Sequence, residues 1–297
     1  MLEYASLRSR IGLPSLRGCL YYSQRLVTHP AIRRAAAGVI AAGINVAQRR
    51  PEPFPASVCE EFVKRLRQDG YARLPDMLKP GQVDDILAYL GDKPLLLRDG
   101  LCLGAGQAQT QVTIADVPLE DVLECPHVLA TANAPFLIQL AIDYLGCMPT
   151  ISTIGMRWSF PGDGAQVQTQ NFHRDPDDWR FFKFFIYLSD VDCDSGPHLY
   201  VKGSHLDAGT FRARPIEEAE LEQRYGREAI IAITGGRGTS FIADTFGIHA
   251  GPVPLARPRL ILEVGYSILP VFALDYRPRR IARAEGLDPY VNRLLLN

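Results

Sequence analysis

Hydrophobic and polar positions follow two different rhythms in the two parts of the chain. Up to residue 146 the apolar residues recur at helical spacing, between signals that start and stop helices. Ser57 and Glu60 form a capping-box pattern, and Gly70, Gly91 and Gly146 are typical helix stops. The pattern predicts helices over 57–66, from about 80 to 90, and from about 132 to 145.

From residue 151 the apolar residues come in short β-branched or aromatic runs that Gly, Pro and Asp clusters separate. One predicted helix, 215–225, interrupts them. The predicted strands are 151–160, 167–173, 181–188, 230–233, 240–242 and 260–268. A helical first part followed by many short strands predicts a mainly β fold, a sandwich or barrel with helices packed outside it.

Composition changes this picture mainly at the N-terminus. The chain has 297 residues with 32 basic and 33 acidic side chains, which argues against a nucleic-acid-binding domain spread over its length. Residues 1–50, however, carry eight arginines and one acid, so that segment has a net charge of +7. We therefore predict a basic extension over 1–50, helical in part over 31–47, and a main domain over 51–297 that begins with the Pro-rich stretch 51–55.

The basic extension allows three interpretations. It can lie on an anionic membrane surface, pack as a helical extension on the main domain, or act as a mitochondrial-type presequence. No uncharged apolar run reaches the roughly 18 residues of a spanning helix. The six cysteines form no CxxC pair, which is typical of reduced thiols in a cytoplasmic protein. We expect a cytoplasmic location, with residues 1–50 as the part that contacts a membrane.

Candidate chemistry lies among the predicted strands. His173 and Asp175 stand two residues apart, so in a strand both side chains point to the same face. A third ligand must come from elsewhere, and His249 follows several predicted strands later. Two histidines and one carboxylate on one face of an octahedral ion leave three positions open, as in non-haem Fe(II) oxygenases.

A basic residue downstream strengthens this interpretation. Arg259 stands ten residues after His249, at the beginning of a strongly apolar predicted strand. A buried guanidinium needs an anionic partner, since leaving it unpaired costs several kcal/mol. The distal carboxylate of a dicarboxylate cosubstrate would supply that partner. Arg257 lies between two prolines and is predicted in the preceding turn.

These motifs resemble those of a known family. The segment from Phe172 to His205, which contains HRDPDDW, YLSDVD, GP and GSH in that order, closely resembles the phytanoyl-CoA dioxygenase family of Fe(II)- and 2-oxoglutarate-dependent oxygenases. The sequence HAGP from His249, followed by RPR ending at Arg259, resembles the closing motif of that family. The resemblance covers roughly 55–297 and leaves the first 50 residues uncovered.

The resemblance implies a double-stranded β-helix, which is a jelly-roll or cupin-like barrel. It implies that His173, Asp175 and His249 bind Fe(II), and that Arg259 binds the C5 carboxylate of 2-oxoglutarate, with O2 as the second cosubstrate. The family often adds a basic or polar group on the preceding strand and a hydroxyl on the following one. Arg157 and Ser189 are our candidates for these two contacts, with Trp158 and Tyr187 as the alternatives.

The implied activity is hydroxylation of an unactivated C–H bond in a small-molecule or lipid-linked substrate, with release of succinate and CO2. The carboxylate of Asp175 favours hydroxylation over halogenation, because related halogenases have a small residue there. Desaturation, epimerisation or cyclisation in natural-product biosynthesis is the alternative with the same cofactors. A hydroxylase of the Kdo sugar in lipopolysaccharide precursors, which would suit the basic extension, and a non-catalytic metal-binding barrel are further alternatives.

Overall fold

The computed structural model describes residues 3–5, 7, 15–48, 56–162, 168–208 and 216–297. Within these ranges the strands are β1 Glu3–Tyr4, β2 Tyr71–Arg73, β3 Leu95–Leu96, β4 Cys102–Leu103, β5 Ile114–Asp116, β6 Thr150–Ser159, β7 Phe181–Tyr187, β8 His198–Val201, β9 Ile230–Ile233, β10 Ser240–Ala243, β11 His249–Ala250, β12 Arg259–Ser267 and β13 Leu274–Asp275. The helices are α1 Leu16–Leu26, α2 Pro30–Ala47, α3 Ala56–Gln68, α4 Pro80–Leu90, α5 Ala105–Gln111, α6 Leu119–Glu124, α7 Val128–Ala132, α8 Pro135–Leu145, α9 Glu218–Tyr225 and α10 Pro289–Asn292.

The described strands form three antiparallel sheets, of which the two largest build the barrel and the third is a two-stranded ribbon of β1 and β13. The larger sheet has eight described strands in the order β2-β10-β7-β12-β6-β5-β3-β4, and the smaller has three in the order β11-β8-β9. Every pairing in both sheets is antiparallel. The predicted fold class, mainly β with flanking helices and a jelly-roll or cupin-like core, is confirmed.

Strict alternation along the central strands divides the larger sheet into two faces. On β7, Phe182 and Phe184 join the core beneath the helices, whereas Lys183 and Phe185 lie on the inner face that lines the cavity. On β12 the even-numbered residues 260–266 join the same helical core, and Arg259, Ile261 and Glu263 line the cavity. Successive side chains of a strand point to opposite faces. A strand can therefore bury its apolar residues under the helices and still place charged residues on the inner face.

The helices cover the outer face of the larger sheet. α3 packs against α8, with an edge-to-face contact between Phe62 and Phe136. The predicted helices over 57–66 and 80–90 are present as α3 and α4. The third begins at Pro135 rather than at 132, because proline takes the first helical position readily and disfavours helical geometry in the residue before it. Its end at Gly146, which has φ 85°, is as predicted.

One segment has the length and composition of a membrane-spanning helix. It is Val128–Leu145, with a mean hydropathy of 1.4, and 61% of it is buried inside the protein. It consists of two helices, α7 and α8, separated at Asn133 and Ala134. This burial and this break are typical of helices in a protein core.

The predicted strand over 167–173 is not a strand in the structure. Residues 163–167 lie outside the described ranges, Gln168–Gln170 form a short 3-10 helix, and His173 makes a single bridge to His249. The segment from Gln168 to Asp175 has one large apolar residue, Phe172, so it has no alternating face to bury along a sheet. The helix predicted over 215–225 begins at Glu218, and the Pro-rich stretch 51–55 lies outside the described ranges.

The described part of the basic extension packs on the main domain. Arg17 on α1 donates hydrogen bonds to the carbonyls of Phe272 and Leu274. Arg33 on α2 is 4% exposed, donates to the carbonyl of Asp178, and stacks 4.0 Å above the ring of Phe246. These contacts favour the interpretation of a helical extension packed on the main domain.

Candidate metal centre

Backbone hydrogen bonds bring the three predicted ligands to one end of the barrel. The amides and carbonyls of His173 and His249 exchange two hydrogen bonds, of 2.9 and 3.0 Å. The amide of Asp175 donates to the carbonyl of Thr245 at 2.8 Å. The two segments therefore run side by side like short strands, and this pairing replaces the regular strand that we expected around His173.

The three side chains converge on one point. Nε2 of His173 lies 3.5 Å from Oδ1 of Asp175, and Nε2 of His249 lies 3.5 Å from Oδ2 of the same carboxylate. The ligand atoms of the three residues all lie within 4.8 Å of one another. A donor set of two imidazoles and one carboxylate on one side of a point can hold a single divalent ion and leave its other side open.

The orientation of both imidazoles suits a metal. Nδ1 of His173 lies 2.8 Å from the carbonyl of Asn171, and Nδ1 of His249 lies 3.0 Å from the carbonyl of Gly247. A carbonyl only accepts, so each Nδ1 carries the proton and each Nε2 presents its lone pair towards Asp175. In both cases the partner carbonyl lies two residues earlier in the chain, so local backbone shape fixes the ring.

The electrostatics of His249 and Asp175 favour cation binding, whereas those of His173 favour its protonated form. Burial lowers the pKa of His173, but the hydrogen bond and the charge of Asp175 outweigh burial and raise that pKa above its usual value. Burial and the neighbouring His173 lower the pKa of His249 to about 3, so its imidazole is neutral near pH 7. Burial opposes the charged form of Asp175, but Lys183 and the imidazoles outweigh it and hold the pKa of that carboxyl well below its usual range. A neutral imidazole and an ionised carboxylate are the forms that bind a metal ion.

A buried lysine lies directly beside the carboxylate of this triad. Nζ of Lys183 is 2.9 Å from Oδ2 of Asp175, 3.3 Å from Oε1 of Glu263 and 3.5 Å from Oδ2 of Asp177. Burial opposes its charge, but the three carboxylates outweigh burial and raise the pKa of Lys183 well above its usual value. Sequence reasoning missed this residue, although a lone lysine within an aromatic strand is the signal that could have revealed it.

Arg259 lies deeper in the same cavity. It is 4% exposed, its Nη2 donates to Oγ of Ser159 at 3.1 Å, and its Nε and Nη1 have no hydrogen-bond partner among the described residues. Burial lowers its pKa to about 10, which leaves the guanidinium protonated at neutral pH. Gly251 leaves room beside it, since a Cβ there would lie 3.1 Å from Nη2. Two unsatisfied donors on a buried cation form a pocket for a carboxylate.

His198 closes the cavity between the arginine pocket and the triad. Its ring stacks on that of His249, with 5.5 Å between the centroids, and lies 4.9 Å from the ring of Phe185. Its buried Nε2 has no hydrogen-bond partner among the described residues. His198 therefore belongs to the lining of the cavity.

The two candidates for further cosubstrate contacts have different surroundings. Arg157 lines the cavity and forms an ion pair with Asp116, its cross-strand neighbour, with 2.7 Å between Nε and Oδ1. Ser189 uses its Oγ to accept a hydrogen bond from the amide of Leu260 at 3.0 Å, and it is not among the cavity-lining residues of the described ranges. The contacts of both residues with the cosubstrate stay predictions.

The cavity has a volume of about 370 Å³ and extends from Arg259 past the triad to the basic extension. Its far wall, formed by the larger sheet, carries the charged residues Asp116, Arg157 and Glu263 among apolar ones such as Ile154 and Met156. Tyr21 and Arg25 of α1 also line it, and Nη1 of Arg25 donates to the hydroxyl of Tyr21 at 2.6 Å. The extension therefore forms part of the wall of the cavity, which no pattern in the sequence indicated.

Solved structures share this fold. EctD from S. alaskensis, crystallised with 2-oxoglutarate and 5-hydroxyectoine, matches with a TM-score of 0.54 and 21% identity, covering 84% of this chain and 90% of EctD. The epimerase SnoN, in complex with Fe3+, alpha ketoglutarate and nogalamycin RO, matches with a TM-score of 0.51 and 22% identity, covering 78% of this chain and 93% of SnoN. No protein-family model matches the chain, and no curated protein matches its sequence.

At these identities the likeness shows a shared fold. The fold, the His/Asp/His site and the arginine pocket together support the superfamily of Fe(II)- and 2-oxoglutarate-dependent oxygenases. The donor set that the cofactor prediction requires is present in this chain. Among the neighbours, SnoN was crystallised with Fe3+ and alpha ketoglutarate and EctD with 2-oxoglutarate. Membership of the phytanoyl-CoA dioxygenase family stays a prediction.

Proposed function

We propose that this protein is an Fe(II)- and 2-oxoglutarate-dependent oxygenase that hydroxylates a C–H bond of a polar small molecule and releases succinate and CO2. His173, Asp175 and His249 would bind the iron, and Arg259 would bind the distal carboxylate of 2-oxoglutarate. The observation that carries the proposal is the buried Arg259, with two unsatisfied guanidinium nitrogens in the same cavity as the triad.

When bound, Fe(II) and 2-oxoglutarate would supply the oxidising power, which no protein side chain can supply. The residues of the chain bind and orient. Arg259, oriented by its hydrogen bond to Ser159, would hold the distal carboxylate of 2-oxoglutarate in the same cavity as the triad. Phe185, His198 and Ile261 line the space between them and exclude water. Such exclusion strengthens each ion pair within the site.

The far wall of the cavity favours a polar substrate. Charged side chains of both signs line it, among them Arg25, Asp116, Arg157, Asp177 and Glu263. A long acyl chain would remove water from these paired charged groups and would offer them no hydrogen bonds in its place, which costs free energy. A compact molecule rich in hydroxyl, amino or carboxyl groups would satisfy them. EctD and SnoN, which share the fold, were crystallised with the small molecules 5-hydroxyectoine and nogalamycin RO, respectively.

The test is turnover by the purified protein under air. We expect succinate to form from 2-oxoglutarate only when Fe(II) is present, and to form faster when a polar metabolite fraction is added. Mass spectrometry of that fraction should show a product heavier by one oxygen. A loss of two hydrogens would indicate desaturation or cyclisation instead, and an unchanged mass with a new retention time would indicate epimerisation. Absence of succinate with every fraction would leave the non-catalytic barrel as the better interpretation.

Replacing Arg259 by glutamine is expected to weaken 2-oxoglutarate binding at least about 30-fold, which corresponds to about 2 kcal/mol. The amide is shorter and carries no charge, so the carboxylate loses its buried ion pair. The measurement is the Kd of 2-oxoglutarate without oxygen. Arg257→Gln is the matched control, because Arg257 lies two residues away, is exposed and pairs with Asp192. Equal affinities of the two variants would contradict the assignment of this pocket.

Membrane contact and a lipid-linked substrate stay predictions of the sequence alone. Arg17, Arg25 and Arg33, three of the eight arginines in the extension, have hydrogen-bond partners within the protein. We therefore propose that residues 15–48 serve first as a structural part of the catalytic domain.

A further inference from the structure

The most informative group outside the proposed ligands is the buried cation beside them. Lys183 is 13% exposed, projects from the middle of β7 into the barrel, and is surrounded by Asp175, Asp177 and Glu263. A lysine is almost never buried in a protein unless it is paired. The proposed chemistry requires neither this lysine nor its two further carboxylates.

Strand register explains how the lysine reaches the triad. Lys183 lies opposite Gly265 of β12, and Glu263 lies two residues along that strand on the same face. Gly265 has no side chain, and a Cβ there would clash with Oγ1 of Thr153, so this position of the inner face favours glycine. This local arrangement brings an ammonium group to the back of the carboxylate, on the inner face of the larger sheet.

The contact divides the two oxygens of Asp175 into different roles. Oδ1 lies 3.5 Å from Nε2 of His173 and Oδ2 lies 3.5 Å from Nε2 of His249, so each oxygen faces one imidazole. Oδ2 differs in that Nζ of Lys183 also lies 2.9 Å from it, within charge-assisted hydrogen-bond distance. An oxygen that already accepts from an ammonium group is a weaker donor to a second cation. The ammonium group therefore favours metal binding through one carboxylate oxygen instead of two.

Charge balance points to the same role. Lys183 and its three carboxylates carry a net charge of −2 when all four are ionised, which matches one divalent ion. Without the lysine the cluster would carry −3 and would hold a divalent ion more strongly, but with no group to restrain Asp175.

We propose that Lys183 is a positioning residue that holds Asp175 in place and restrains it to one ligand oxygen, so that coordination positions stay open for 2-oxoglutarate and O2. This inference rests on the proposed function. Asp177 and Glu263 keep the ammonium group in place from its other side, because each lies within 3.5 Å of Nζ.

The proposal predicts opposite changes in metal affinity and turnover for Lys183→Met. Affinity for Co(II), measured by anaerobic titration in the absence of 2-oxoglutarate, is expected to rise about tenfold, because a positive charge near the ion is lost. Succinate formation with Fe(II) is expected to fall at least about tenfold, as for loss of a group that orients a ligand. The visible absorption bands of bound Co(II) should change intensity, because the coordination of the ion changes. Lys183→Arg should restore both quantities towards the wild type.

Two further variants complete the test. Lys93→Met is the matched control. Lys93 also pairs with one carboxylate, Asp121, at 2.9 Å, and it is not among the cavity-lining residues of the described ranges. Glu263→Gln keeps the lysine but removes one neighbouring negative charge, so Co(II) affinity should fall about threefold. The expected change in Co(II) affinity is thus a fall for Glu263→Gln and a rise for Lys183→Met, and the first variant tests the proposal if the second does not fold.

The outcomes separate this proposal from the proposed function. If the wild type binds no Co(II) and forms no succinate, the proposed function fails and this inference fails with it. If the wild type is active but Lys183→Met matches it in affinity, spectrum and turnover, only the role of Lys183 is overturned. A joint fall of Co(II) affinity and turnover would also overturn it, because that pattern indicates a merely structural lysine.

Discussion

Asp175→Ala is expected to lower succinate formation at least about 100-fold and to abolish tight binding of Fe(II) or Co(II). The reason is that the substitution removes the anionic member of the donor set and leaves two imidazoles beside Lys183. Loss of outer-shell partners alone costs 10- to 100-fold in typical metal sites, so loss of a ligand should cost more. The measurements are succinate release under air and anaerobic metal titration.

The matched control is His127→Ala. His127 and Asp85 form another histidine–carboxylate pair, with 2.8 Å between Nε2 and Oδ2, on the surface of the helical part. Its loss should leave metal binding and turnover unchanged. If Asp175→Ala kept more than a tenth of the wild-type turnover while remaining folded, the assignment of the metal centre would be wrong.

Asp178→Asn is expected to lower the free energy of unfolding by about 2–5 kcal/mol. The carboxylate of Asp178 is fully buried and accepts four hydrogen bonds, two at each oxygen. The donors are the amides of Trp179, Ile268 and Leu269 and the side chain of Gln24. An asparagine side chain must turn its NH2 group towards one of these pairs of donors, and both donors of that pair then lose their acceptor.

Urea unfolding of the metal-free protein measures this effect. Asp288→Asn is the control, because Asp288 caps the exposed start of α10 with two similar hydrogen bonds and asparagine caps helices equally well. A change below about 0.5 kcal/mol for Asp178→Asn, the range of ordinary surface substitutions, would contradict the role given to this carboxylate.

Candidate site residues could be picked out from the sequence where the expected chemistry requires a particular residue type. His173, Asp175 and His249 were recognised from donor chemistry and order, and Arg259 from its place at the beginning of an apolar strand. The structure brings all four to one cavity. The strands β6, β7 and β12 were predicted within two residues because their apolar runs are long.

The remaining features could not be predicted, because the interactions that determine them join residues distant from one another in the chain. The segment 167–173 was predicted as a strand from its composition, but its backbone pairs with His249 for a single bridge only. The sequence did not indicate a role for Lys183 in the site, because its ion pairs with Glu263 and Asp177 depend on how the chain folds. The register of β7 and β12 brings Glu263 near the lysine. Net charge alone could not show that Arg33 is buried.

The docking of the basic extension also has a consequence for the order of folding. Arg17 donates to the carbonyl of Phe272, 255 residues further along the chain. At 5–20 residues per second a ribosome needs roughly 13–50 s to synthesise that distance, so α1 is made well before this part of its docking site. Until then α1 lacks its contacts with residues 272–274, although Asp178, which contacts both α1 and α2, is made earlier. The extension is therefore the part of the nascent protein for which we expect the greatest dependence on chaperones.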